Sequence, residues 1–102
     1  LDSVIIPDYA NLEKPFVEVF TLDSEICAAC TYMWNTAKRV VEEMNGTADI
    51  IEYRFNKIEN IARVKKMGVK NLPSIVINGE LKYSSIIPSP EELRAEIEKL
   101  IK

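Results

Sequence analysis

Apolar and polar residues follow two different periods along this chain, and the changes of period mark its elements. Phe16, Val17, Val19 and Phe20 form an almost unbroken apolar run over 16–21, with only Glu18 intruding. Such a run predicts a central strand covered on both faces. Over 26–44 the period turns helical. Cys30, Met33, Trp34, Ala37, Val40, Val41 and Met44 recur at spacings of three and four, with Thr31, Asn35, Lys38, Arg39, Glu42 and Glu43 on the other face. This predicts an amphipathic helix of about five turns. Asp23 and Ser24 are suitable N-caps for it, and Asn45-Gly46 supplies its stop.

Residues 49–55 return to alternation, with Ile51, Tyr53 and Phe55 set against Glu52 and Arg54, and predict a second strand. Residues 57–67 predict a helix with Ile58, Ile61, Ala62 and Val64 inward, stopped by Gly68. Pro73 stands where a β-type run, Ile75-Val76-Ile77, begins, a place where a sheet accepts proline. Asn78-Gly79 is a strong hairpin signal, so the strand through Leu81 and Tyr83 returns antiparallel. Ser89, Pro90 and Glu92 then read as N-cap, first helical residue and capping box. They open a last helix with Leu93, Ile97, Leu100 and Ile101 as its buried stripe, and the acidic start and Lys99/Lys102 end suit the helix dipole. The order is β-α-β-α-β-β-α, an α/β domain. Residues 1–14, with Pro7, Asn11 and a short Val4-Ile5-Ile6 cluster, are expected to form an arm or linker with at most one docked turn; 15–102 form the domain.

Composition narrows the function. The chain has 102 residues, is 47% apolar and 28% charged, and carries a net charge of −3. That balance argues against nucleic acid or an anionic membrane surface as partner. No apolar run approaches the ~18 residues of a membrane span. The first residue is Leu, which leaves open an excised domain or a processed chain. There is no histidine, so the usual general base and half of a common zinc ligand set are missing.

The two cysteines are Cys27 and Cys30, in Cys27-Ala28-Ala29-Cys30 between the first strand and the first helix. A CxxC at that junction is a redox motif. Residues three apart on a helix lie within the range a disulfide can bridge. A sulfur at a helix N-terminus has its thiolate stabilised by unpaired N–H groups and the dipole. Cys27 is therefore the expected nucleophile and Cys30 the resolving thiol. With Asp23 and Glu25 opposing the helix end, the Cys27 pKa is expected to be modestly depressed and the couple reducing to intermediate.

Taken with Gly68-Val69, Leu72-Pro73-Ser74 some 43 residues after the motif, and the Asn78-Gly79 hairpin, the pattern resembles the thioredoxin superfamily. In compactness it is similar to the small glutaredoxin-like members of archaea and anaerobic bacteria. The resemblance covers residues 15–102 and implies a four-stranded mixed sheet of order 2-1-3-4 with helices on both faces. It also implies a cis Leu72–Pro73 bond facing the cysteines, and a Leu72 backbone that pairs with an extended substrate. Trp34 is a candidate border of the substrate groove, although its helical spacing favours core or rim packing. The sequence departs from the family in five places. Ala28-Ala29 replaces the usual dipeptides, Thr21 stands where thioredoxins place a buried acid, Ile86-Ile87-Pro88 replaces a glutathione-binding stretch, Thr31-Tyr32-Met33-Trp34 extends the first helix by about one turn, and the segment from Leu22 to Ile26 is slightly longer.

These features imply a thiol–disulfide oxidoreductase with no cofactor beyond the Cys27–Cys30 disulfide. Its partners would be a protein disulfide substrate and a reductase, and it is expected to be a cytoplasmic monomer. Three alternatives stay open. The domain could be a docking module that delivers electrons to one cognate or fused enzyme. It could be a metal-binding domain, although two thiolates fall short of the four ligands zinc takes and suit only Cu(I). The cysteines could also be inert core thiols.

Overall fold

The computed structural model describes residues 4–23 and 26–102. Ser24 and Glu25, expected as an N-cap and as a charge beside the motif, lie outside them. Strands β1 (Phe16–Thr21), β2 (Asp49–Arg54), β3 (Ser74–Ile77) and β4 (Glu80–Ser84) form one sheet of order β2-β1-β3-β4. Helices α1 (Ala28–Glu43), α2 (Ile58–Lys66) and α3 (Pro90–Glu98) complete the β-α-β-α-β-β-α order. β1 pairs in parallel with β2, and β3 runs antiparallel to both β1 and β4. This is the thioredoxin fold.

Two clusters fill the two faces of the sheet. On one, Val17, Val19, Ile75 and Ile77 pack under Met33, Ala37, Val40 and Val41 of α1 and Leu93 and Ile97 of α3. On the other, Phe20, Tyr53, Val69 and Val76 pack with Val64, Met67 and Leu72. The alternation along β1 thus serves two cores, as a strand covered on both sides requires.

α1 ends where Asn45 and Gly46 turn to positive φ (52° and 82°). Asn78 (50°) and Gly79 (82°) both take positive φ, the I′ geometry that joins tightly twisted strands. Gly79 has a second constraint: a Cβ there would sit 2.6 Å from the Tyr9 ring.

Several side chains differ from the pattern-based expectation. Ile58, expected inward, is 60% exposed as the first residue of α2. Ile51 is exposed on edge strand β2, and its neighbour Ile50 packs against the core in its place. Leu100 and Ile101 are exposed because α3 stops at Glu98. Ser89 caps α3 by accepting from the Glu92 N–H at 3.2 Å. The Glu92 carboxylate faces the Tyr83 phenol.

The arm docks on the face carrying α2. Its 3-10 turn, Tyr9–Asn11, brings the Tyr9 hydroxyl to Glu18. Lys66 Nζ donates to the Val4 carbonyl at 3.0 Å and Arg63 Nη1 to the Ile5 carbonyl at 2.9 Å. Among the described residues no helix is long and apolar enough to cross a membrane.

Candidate redox site

The site is assembled at the end of the sheet where β1 gives way to α1. The Asp23 carbonyl accepts from the Ile26 and Cys27 N–H groups at 3.1 and 2.9 Å. That turn delivers Cys27 to the N-cap of α1, where its Sγ accepts from the Cys30 N–H at 3.2 Å. The cap is thus a sulfur, and α1 starts at Ala28, two residues later than the start expected at 26. One of the four otherwise unpaired N–H groups of the helix end is spent on that sulfur.

Cys27 and Cys30 form a disulfide with their Cα atoms 5.2 Å apart. The two differ in access. Cys27 is partly exposed, flanked by exposed Ala28 and Ala29, while Cys30 is fully buried. Cys30 Sγ accepts from the Leu22 N–H at 3.4 Å, which ties the inner sulfur to the strand end. Thr31 Oγ1 donates to the Cys27 carbonyl at 3.1 Å and steadies the first turn.

Sheet register brings the proline segment to the same end. Ser74 pairs with Phe20 of β1 and Ser84 of β4, so Pro73 enters one step beyond, level with Thr21. The Leu72–Pro73 peptide is cis, and the Pro73 carbonyl accepts from the Ser85 N–H at 2.9 Å. Leu72 packs on the Phe20–Tyr53 cluster, and its N–H and carbonyl make no backbone hydrogen bond among the described residues. Trp34 is half-buried and packs against the α1-side core. Thr21 is buried and donates to Glu52 Oε2 at 2.8 Å; Glu52 also holds Arg54 Nε at 3.1 Å.

A cavity of about 680 Å³ opens beside Cys27. Its wall is the outer stripe of α1 from Ala28 to Arg39, with Ile26 at one end and Pro90 of α3 opposite; Trp34 is not part of it. Among the described residues no group of three or more His, Cys, Asp or Glu side chains is placed to hold a metal.

One cluster escaped the sequence reading. Glu18, fully buried, accepts from Tyr9 at 2.5 Å and Tyr53 at 2.7 Å. The Tyr53 ring lies 5.0 Å from Phe20 and carries the Arg63 guanidinium 4.5 Å above its centre. Burial, reinforced by the hydrogen bond to Glu18, holds both phenols well above their ordinary pKa. The signal was present: a carboxylate inside an apolar central strand needs buried donors, and tyrosines supply them.

The comparisons agree with this geometry. A family profile described as a thioredoxin domain matches residues 17–98. A thioredoxin of Methanocaldococcus jannaschii is 36% identical over 90 residues, spanning 86% of this chain and 98% of the relative. A thioredoxin of Methanothermobacter thermautotrophicus is 29% identical over 68 residues, 67% of this chain and 82% of the relative. Among solved structures, chloroplastic thioredoxin z aligns with a TM-score of 0.71 at 17% identity, over 89% of this chain and 81% of its own, a likeness of fold. With a bridged CxxC at the mouth of α1, this fold and these relatives, the chain belongs to the thioredoxin family and is a thioredoxin-like disulfide oxidoreductase.

Proposed function

We propose that the domain passes electron pairs to protein disulfides, with Cys27 as the attacking thiolate and Cys30 as the resolving thiol. The observation that carries this reading is the difference in access between the two sulfurs. Cys27 is partly exposed on the N-cap, and Cys30 is buried one turn inside with its Cα 5.2 Å away.

In the reduced protein the helix end stabilises a thiolate on Cys27. That thiolate attacks one sulfur of a substrate disulfide. A Cys27–substrate bond forms, the substrate S–S bond breaks, and the departing thiolate takes a proton from water. Cys30 gives its proton to solvent and attacks Cys27 Sγ. The internal disulfide closes and the second substrate thiol leaves, so two electrons have passed to the substrate. A dithiol reductant restores the pair. Leu72 is the backbone we assign to substrate pairing, since its N–H and carbonyl are not committed to the sheet, and Pro73 sets its position at the site. Trp34 we assign to packing beside the motif. A cytoplasmic monomer served by a separate reductase is the simplest setting for this cycle.

Insulin reduction in the presence of dithiothreitol tests the reading. The chain should accelerate precipitation of the insulin B chain beyond dithiothreitol alone, and Cys27→Ser should abolish the acceleration. An intact, folded chain that leaves insulin untouched would instead be a docking module dedicated to one enzyme.

A further inference from the structure

The cavity beside Cys27 is an elongated groove with a direction. Its α1 wall is a single stripe at spacings of three and four, and its two ends differ. Near the cysteine it is apolar: Ile26 is 79% and Tyr32 65% exposed. At the far end is Arg39, the one charged side chain lining it among the described residues.

We propose that this groove reads the substrate sequence on one side of the reacting cysteine. It takes an extended segment with an apolar side chain close to the cysteine and a carboxylate about five residues further on. The proposal rests on Cys27 being the attacking sulfur.

The spacing follows from the two geometries. The twelve helical residues from Cys27 to Arg39 rise about 18 Å, which an extended chain covers in about five residues at roughly 3.3 Å each. Arg39 is available to such a partner. Its contact with Glu43 is 3.9 Å long, with both side chains largely exposed, the kind of surface pair that contributes little and exchanges readily. Glu91 and Glu92 follow Pro90 but do not line the groove. Between the ends, the exposed Asn35 side chain offers both a donor and an acceptor to an extended backbone. Tyr32 presents a flat apolar face with a hydroxyl at its tip, a side chain suited to anchoring a peptide at small entropic cost.

The test uses the full chain, reduced, in stopped flow. Single-cysteine peptides are activated as mixed disulfides with thionitrobenzoate. Each carries leucine beside the cysteine and either aspartate or lysine five residues away, placed on the N-terminal side in one pair and on the C-terminal side in another. Attack by Cys27 releases thionitrobenzoate, and each rate is divided by the same variant's rate with a small symmetrical aromatic disulfide. At low salt the aspartate peptide of one pair should react about threefold to tenfold faster than its lysine partner. Arg39→Glu should cancel or reverse that preference, and Tyr32→Ala should slow both peptides of the pair. An aspartate-to-lysine ratio that Arg39→Glu leaves within twofold of the wild-type value, in both pairs, overturns the groove alone. Failure of the reduced chain to attack even the small disulfide overturns the reading of Cys27, and the groove with it.

Discussion

Cys27 and Cys30 sit one helical turn apart, yet one sulfur meets solvent and the other is enclosed by α1 and the end of β1. In the proposed cycle the difference in access divides the chemistry. Alkylating the reduced chain at neutral pH should modify Cys27 and leave Cys30 largely intact, as read by peptide mass. In Cys30→Ser the first exchange still occurs but the resolving sulfur is gone, so the mixed disulfide should persist and co-migrate with its substrate until a reductant is added. A Cys30→Ser chain that releases substrate as fast as the wild type would show that resolution does not use Cys30. The pairing of the two cysteines and their place at a helix start were legible in the sequence, because a CxxC spacing and a helix start are local features. Glu18 was not. The sequence shows a charge in an apolar run, while the identity of its partners depends on where the arm and β2 lie in space.

At the scale of elements, the arm and the β3–β4 turn depend on each other. The Tyr9 ring occupies the space a Cβ at position 79 would take, and Gly79 holds a φ of 82° that other residues rarely adopt. Gly79→Ala should therefore cost about 1–3 kcal/mol, from backbone strain together with overpacking. That corresponds to a fall in Tm of several degrees for a domain of this size. In a Tyr9→Ala background the packing share of that cost should vanish and the φ share remain, so the two changes should be non-additive. Strict additivity in a thermal denaturation cycle would mean the ring is not pressed on the turn. The period of the apolar residues revealed the helices and strands, and Asn78-Gly79 revealed the hairpin. It did not reveal which apolar faces would find cover. Spacing places Ile58 inward, yet as the first residue of α2 it stays in water, and the alternation through Ile51 does not show that β2 is an edge strand that leaves this side chain exposed.

At the scale of the molecule, two cores share one sheet, and the core away from α1 contains a polar centre. Tyr9 and Tyr53 keep their protons to higher pH in the folded chain than their unfolded value near 10. Tyr83, desolvated and facing Glu92, is pushed up to about 12. The folded state thus holds protons that the unfolded state releases. Stability from these groups is fully present below about pH 10 and drains away as pH rises toward the folded values. Calorimetry of the oxidised chain should show Tm falling steeply above pH 10, with a shallower fall in Tyr53→Phe. A Tm that stays level to pH 11 would mean these hydroxyls are not held by the fold.

The redox couple itself is the most direct test of the whole account. The chain should be equilibrated in dithiothreitol and glutathione buffers of stepped potential, quenched by alkylation and weighed. A single two-electron transition between free dithiol and the Cys27–Cys30 bridge is expected, at a potential between about −270 and −180 mV, the reducing to intermediate range of this chemistry. A bridge that fails to form at any potential, or a couple as oxidising as about −120 mV, would contradict it.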